Sequence, residues 1–187
     1  MMVQELQTLV NNLKENPHTY IERLVTAEEV TSILHEVGKF IKENLQKNNT
    51  VVINGIGTFG LKQEKLLVSQ QPVKYLISQI PVFVLSHSLA LKFRIKWSRK
   101  YYEASFPERV FNSSYIAAKC KIQRSKVCLA MSELIAFMER SLFCQNALEL
   151  PIVGVGTLRV HEDHYKMDFD ESFLKDVSIQ DVLYVVE

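Results

Sequence analysis

The sequence predicts an α+β protein made of two copies of one small unit in tandem. Residues 1–104 form the first unit and residues 105–187 the second. Each is expected to hold two helices and a small three-stranded antiparallel sheet. Three observations predict this. Gly55-Ile56-Gly57-Thr58-Phe59 returns as Gly154-Val155-Gly156-Thr157-Leu158. Each copy follows an amphipathic helical stretch and a β-like run. The upstream helices align without a gap, Glu29 to Leu45 on Lys126 to Leu142, placing Val30 on Val127, Glu36 on Glu133, Phe40 on Phe137 and Leu45 on Leu142. A unit this small has only a marginal core alone, so the copies are expected to bury their helical faces against one another.

The elements follow in order. Val3 to Leu13 carries Leu6, Leu9, Val10 and Leu13 on one stripe, the pattern of a short helix that Asn16-Pro17 ends. Thr26 to Glu29 spells a capping box, and the helix behind it presents Val30, Ile33, Leu34, Val37, Phe40, Ile41 and Leu45 at three- and four-residue steps. Val51–Ile53, Thr58–Leu61 and Leu66–Val68 read as strands; Tyr75–Ser78 and Pro81–Leu85 are β-rich. Ser86–Phe93 reads as a short helix. Phe93–Tyr102, apolar alternating with basic, reads as a strand or extended connector.

The second unit begins near Phe106-Pro107. Asn112–Lys121 is helical. Arg124-Ser125 opens a helix whose face is Val127, Ala130, Met131, Leu134, Phe137, Met138 and Leu142. Glu149–Val153, Thr157–His161 and Tyr165–Phe169 are short strands, Glu171–Val177 a helical turn or two, and Asp181–Glu187 a β-prone tail suited to an edge strand. On this reading Phe40→Ala or Phe137→Ala costs about 3–5 kcal/mol as loss of buried aromatic packing.

Composition excludes some classes. No run reaches the roughly 18 apolar residues of a membrane helix, and the polar, charged first residues do not form a signal peptide. Cys120, Cys128 and Cys144 are odd in number and far apart, which reads as free thiols in an intracellular protein. Cys120 and Cys128 are expected to be buried small side chains on two helices.

Net charge is +1 but unevenly placed. Lys65 to Tyr102 holds no acid; His161 to Glu187 holds eight against Lys166 and Lys175. Such asymmetry can orient the units on each other, stack copies, or meet an acidic partner.

No catalytic constellation is readable: there is no Ser-His-Asp or Cys-His arrangement and no carboxylate pair in an apolar setting. A non-enzymatic protein without cofactor or metal is expected. Gly55 to Gly60 satisfies G-x-G-x-x-G, but a dinucleotide site needs a helix at the third glycine and an acid about twenty residues on; no acid lies between Glu64 and Glu103. Gly55, Gly57, Gly154 and Gly156 therefore read as structural turns. His161-Glu162-Asp163-His164 reads as a solvated hairpin turn, because alternate strand residues point to opposite faces.

The one positive functional signal is the basic, aromatic-laced stretch Lys92, Arg94, Lys96, Trp97, Arg99, Lys100 and Tyr101. It reads either as packing between the units with solvated cations, or as an adhesive strip for an acidic partner, which tubulin's acidic surface or nucleic acid would suit, Arg and Trp being favoured anchors.

Ile53–Phe59, Tyr75–Ser78 and Pro81-Val82-Phe83 resemble the bacterial histone-like HU and integration host factor fold. With Pro81–Leu85, Tyr115-Ile116-Ala117, Arg124–Val127, Gly154–Leu158 and Lys166–Phe169, the chain resembles more closely the eukaryotic tandem HU-like domains of the coiled-coil domain-containing protein 81 family. The resemblance implies an intertwined HU-type dimer made within one chain, an intrachain pseudo-dimer. It also implies a structural or adaptor role in a cilium, flagellum, basal body or centrosome, with tubulin or other axonemal or centrosomal proteins as partners.

The rival is an architectural DNA-binding protein of HU type. Bacterial relatives use arginine-rich β-arms tipped by a wedging proline. Here the corresponding segment, Lys62 to Lys74, holds Pro72 but no arginine, and its counterpart Val160 to Tyr165 is acidic. Dense duplex charge opposes that composition, so nucleic acid is disfavoured.

Overall fold

The fold was obtained as a computed structural model, which describes residues 2–15, 19, 21–70, 73–97, 102, 105–145 and 147–184. The helix end expected at Asn16-Pro17 and the arm proline Pro72 lie outside these residues. Helix α1 (Met2–Lys14) is followed by α2 (Ala27–Gln46), β1 (Thr50–Ile53), β2 (Gly57–Gln70), β3 (Val73–Leu85) and α3 (His87–Lys92). Then come β4 (Glu108–Val110), α4 (Ser113–Cys120), α5 (Arg124–Gln145), β5 (Ala147–Ile152), β6 (Gly156–His161), β7 (His164–Phe169), α6 (Glu171–Val177) and β8 (Ile179–Tyr184). The α+β class and the two tandem HU-like units stand.

The capping box forms as the sequence spells it. Thr26 Oγ1 accepts from the Glu29 N–H at 3.2 Å, and Glu29 Oε2 accepts from the Thr26 N–H at 3.0 Å. Thr26→Ala removes half of this reciprocal cap, so a loss of about 1 kcal/mol in urea unfolding is expected.

In both repeats the turn glycines carry positive φ, with Gly55 at 84° and Gly154 at 71°. Gly57 and Gly156 are the stricter positions. A Cβ on Gly57 would lie 2.4 Å from the Val84 carbonyl oxygen, and one on Gly156 would lie 2.1 Å from that of Asp168. The repeated motif is thus the place where each hairpin strand crosses its neighbour too closely for a side chain.

The sheets are unequal. The second unit's sheet has the expected three antiparallel strands, β5-β6-β7. The first unit's own strands β1, β2 and β3 form the expected antiparallel three, and β4 and β8 of the second unit extend that sheet to five, β4-β1-β2-β3-β8. The short β4, not anticipated, pairs parallel with β1 from Thr50↔Glu108 to Val52↔Val110. The tail strand β8 pairs antiparallel with β3, Lys74↔Tyr184 to Gln79↔Ile179. Its pairing stops before Pro81, which has no N–H to give a ladder.

The separate β-runs expected between Thr58 and Leu85 are instead two long strands. They form one arm, paired from Gly57↔Leu85 out to Gln70↔Val73, with an irregularity between Leu67 and Ser69.

One hydrophobic core runs through both units. It joins Val30, Ile33 and Ile41 of α2 to Val127, Leu134 and Met138 of α5, with Phe59, Phe83 and Phe173 fully buried. Phe83 of the first unit meets Tyr165 of the second edge-on at 6.2 Å. Phe40 and Phe137 are only partly buried, so the large truncation cost expected there belongs to their neighbours Ile41 and Met138, both 0% exposed. Phe40 packs across the units against Phe111 and Tyr115. Cys128 and Cys144 are exposed and Cys120 is intermediate, contrary to the buried roles expected of Cys120 and Cys128. Cys128 falls off the α5 core stripe, one position after Val127.

The halves are related as a pseudo-dimer, and the contacts show it residue by residue. Glu29 and Lys126 occupy equivalent positions in the helix alignment, and they bond each other, Lys126 Nζ donating to Glu29 Oε1 at 2.5 Å. Contact between equivalent positions is what a two-fold relation produces. Away from that centre the contacts are reciprocal. Gly38 on α2 lies against the Val153 turn of the second unit; its equivalent on α5, Ile135, lies against the Gly55 turn of the first. Lys42 on α2 pairs with Asp176 on α6 at 2.5 Å; its equivalent on α5, Glu139, pairs with Lys92 on α3 at 2.8 Å.

The Lys126 ammonium, and after it the Thr26 N–H, hold the Glu29 carboxyl below its ordinary value of 4.5. A depressed folded-state value contributes stability above the unfolded value, and that contribution disappears as pH falls through the folded one. Stability should therefore drop on acidification below pH 4.5. Glu29→Gln should be less stable at neutral pH and flatter across that window, as read from urea midpoints at a series of pH values.

Candidate partner-binding surface

The stretch singled out in the sequence begins on α3 and continues as a clamped turn, not as the strand or extended connector expected. The Phe93 N–H caps α3 by donating to Leu89 and Leu91 carbonyls. Arg94 is left-handed, with φ 56°, and exposed. Ile95 is buried, its N–H donating to the Ala90 carbonyl at 2.9 Å. Trp97 is 38% exposed; its indole N–H donates to the Leu85 carbonyl at 2.8 Å, and its ring meets His87 edge-on at 4.8 Å.

Two of the cations are committed to the second unit. Lys92 pairs with Glu139 on α5. Lys96 reaches the β6–β7 turn twice: its N–H donates to the Asp163 carbonyl at 2.6 Å and its Nζ sits 2.8 Å from Asp163 Oδ2. Lys96, with help from nearby His164, holds the Asp163 carboxyl below its usual range. Described as far as Trp97, the strip joins the seam between the units through Lys92 and Lys96, while Arg94 stays exposed and Trp97 folds back on the first unit. Arg99, Lys100 and Tyr101 lie outside the described residues.

The His161–His164 segment is a tight hairpin turn whose Asp163 serves this seam. Among the described residues no group of three or more His, Cys, Asp or Glu is placed to hold a metal, and no helix is long and apolar enough to cross a membrane. A cleft of about 340 Å³ opens between α1 and the outer face of β5 and β6. Its Arg159 is committed to Glu149 at 2.9 Å and to Asp168.

The arm, which the sequence reading weighed only as the counterpart of a DNA-binding arm, presents a further surface. The last buried residue of β2 is Leu61; beyond it Leu66, Leu67 and Val68 are 55%, 51% and 62% exposed. Lys62 pairs with Glu64 at 2.5 Å, and Lys65 is exposed. The signal was available as three consecutive apolar residues in an otherwise polar stretch, but without the hairpin register it reads as an ordinary short strand.

A five-stranded and a three-stranded sheet, repeated Gly-x-Gly turns and reciprocal helix–turn contacts define a pair of HU-like domains fused in one chain. The family model for CCDC81 eukaryotic HU domain 1 matches residues 7–97, and that for CCDC81 eukaryotic HU domain 2 matches residues 110–181. The chain belongs to this family of tandem eukaryotic HU domains.

Proposed function

We propose that the protein is a non-enzymatic structural or adaptor component of a microtubule-based organelle, a cilium, flagellum, basal body or centrosome. It docks there by protein–protein contacts, with an axonemal doublet microtubule as one such surface. The observation that carries the docking part is the arm. Where an HU-type DNA binder needs arginines, this arm exposes leucines and a valine. Exposed apolar clusters of this kind mark interaction sites. The organelle is what the resemblance read from the sequence implies, and outward cations such as Arg94 and Lys65 suit an acidic protein surface such as tubulin's.

The arm's length favours a second reading, architectural DNA binding. A duplex titration over a salt series separates the two. The structural reading expects weak binding; tight binding at physiological salt with a steep salt slope supports the rival. A tagged copy should concentrate at axonemes, basal bodies or centrosomes, and uniform nuclear staining would overturn the proposal.

A further inference from the structure

The first unit's sheet grows by accepting strands from elsewhere: β4 on β1 and β8 on β3. Along the arm this leaves one edge unpaired among the described residues. Among the described residues, β1 pairs β2 only from Gly57 to Phe59, and no strand pairs the outer edge beyond. The open run has two physical ends. At its base the run begins where β1's pairing ends at Phe59, and Tyr102 packs over the sheet face of Gly60, where a Cβ would lie 2.7 Å from the tyrosine's own. Toward the tip, the register irregularity at Val68 breaks the flat ladder.

Unpaired N–H and C=O groups on an exposed edge are a template for another strand. The charge on this edge comes from Lys62, Glu64 and Lys65; Leu66 and Leu67 stand on opposite faces beside them. The opposite edge of the arm already accepts a strand, β8 on β3. β8 reads Ile-Gln-Asp-Val-Leu-Tyr, apolar with one acid, and its Asp181 registers on Ile77, which in turn registers on Lys65.

We propose that the outer edge of β2 from Leu61 to Leu67 is a strand-addition site for an extended segment of a protein partner, one that sets an acidic residue against the exposed Lys65 and apolar ones against Leu66 and Leu67. The inference deepens the docking reading and rests on it only for the partner being a protein; it is independent of the organelle.

The test uses the full chain and, as probe, a synthetic peptide of this chain's residues 178–186, an acid-bearing strand already suited to the arm. Hydrogen exchange should show amides of 61–67 slowed by the peptide while β8 amides keep their rates. Two controls should each weaken binding, by roughly tenfold for the double variant Leu66→Lys/Val68→Lys and less for Lys65→Glu, as lost cross-strand pairs predict. Retained far-ultraviolet dichroism and urea midpoint show that the arm variants still fold. Three results overturn the proposal: no slowing at 61–67; peptide exchange into the β8 position, read as faster β8 amides; or an unliganded protein that sediments as a dimer with 61–67 already protected, which would assign the edge to a second copy. Any of these leaves the localisation test of the docking reading standing.

Discussion

Gly38→Ala is expected to lower stability by about 3 kcal/mol, the upper range for overpacking a close contact. In an exposed helix the same change would raise stability by about 1 kcal/mol, because alanine is the better helix former. The sign is therefore diagnostic. A Cβ at Gly38 would sit 1.8 Å from the Val153 carbonyl oxygen, and both partners are backbone atoms of buried or turn segments with no rotamer to retreat into. Relief requires that α2 and the second unit's turn move apart. A urea midpoint equal to or above that of the parent chain would show that the helix does not approach the turn this closely. Ile135→Ala, the equivalent position on α5, opens space against Gly55 instead, and so should cost less than Gly38→Ala.

Ile41→Ala and Met138→Ala are the second pair of large effects. Both side chains are 0% exposed and equivalent in the helix alignment, and each truncation should cost about 2–5 kcal/mol. The two should also behave alike in mechanism. Because one cluster joins the units, either change is expected to shift a single cooperative transition of the whole chain rather than melt one unit and spare the other. Two separated calorimetric transitions in either variant would show that the cores are independent.

The sequence made the helices, their core stripes and the turn glycines legible because each rests on local rules. Three- and four-residue apolar spacing marked α2 and α5, a reciprocal cap marked the start of α2, and glycine marked the hairpin crossings. The arm was harder. Its register is set by pairing of residues as far apart as Gly57 and Leu85, so Leu66–Val68 and Tyr75–Ser78 looked like separate strands. β4 is three residues long and pairs in parallel across the unit boundary, a contact that no local pattern encodes. The basic strip was legible as a charge anomaly but not in its role. Seeing Lys92 and Lys96 as seam residues needs Glu139 and Asp163, which come from distant parts of the chain. One part of that seam was nonetheless on the page of the alignment itself, where Lys42 falls on Glu139 with opposite charge.

That swap of sign decides which halves tolerate each other. Were two first units to associate like with like, Lys42 of one would confront Lys92 of the other and the two Glu29 carboxylates would meet. Were two second units to do so, Glu139 would confront Asp176 and the two Lys126 ammoniums would meet. Each exposed pair is worth little alone, yet every one becomes repulsive in the wrong combination. A duplicated unit starts from a self-complementary surface; here the two copies have diverged into lock and key, so that at these positions each half fits its sibling better than a second copy of itself.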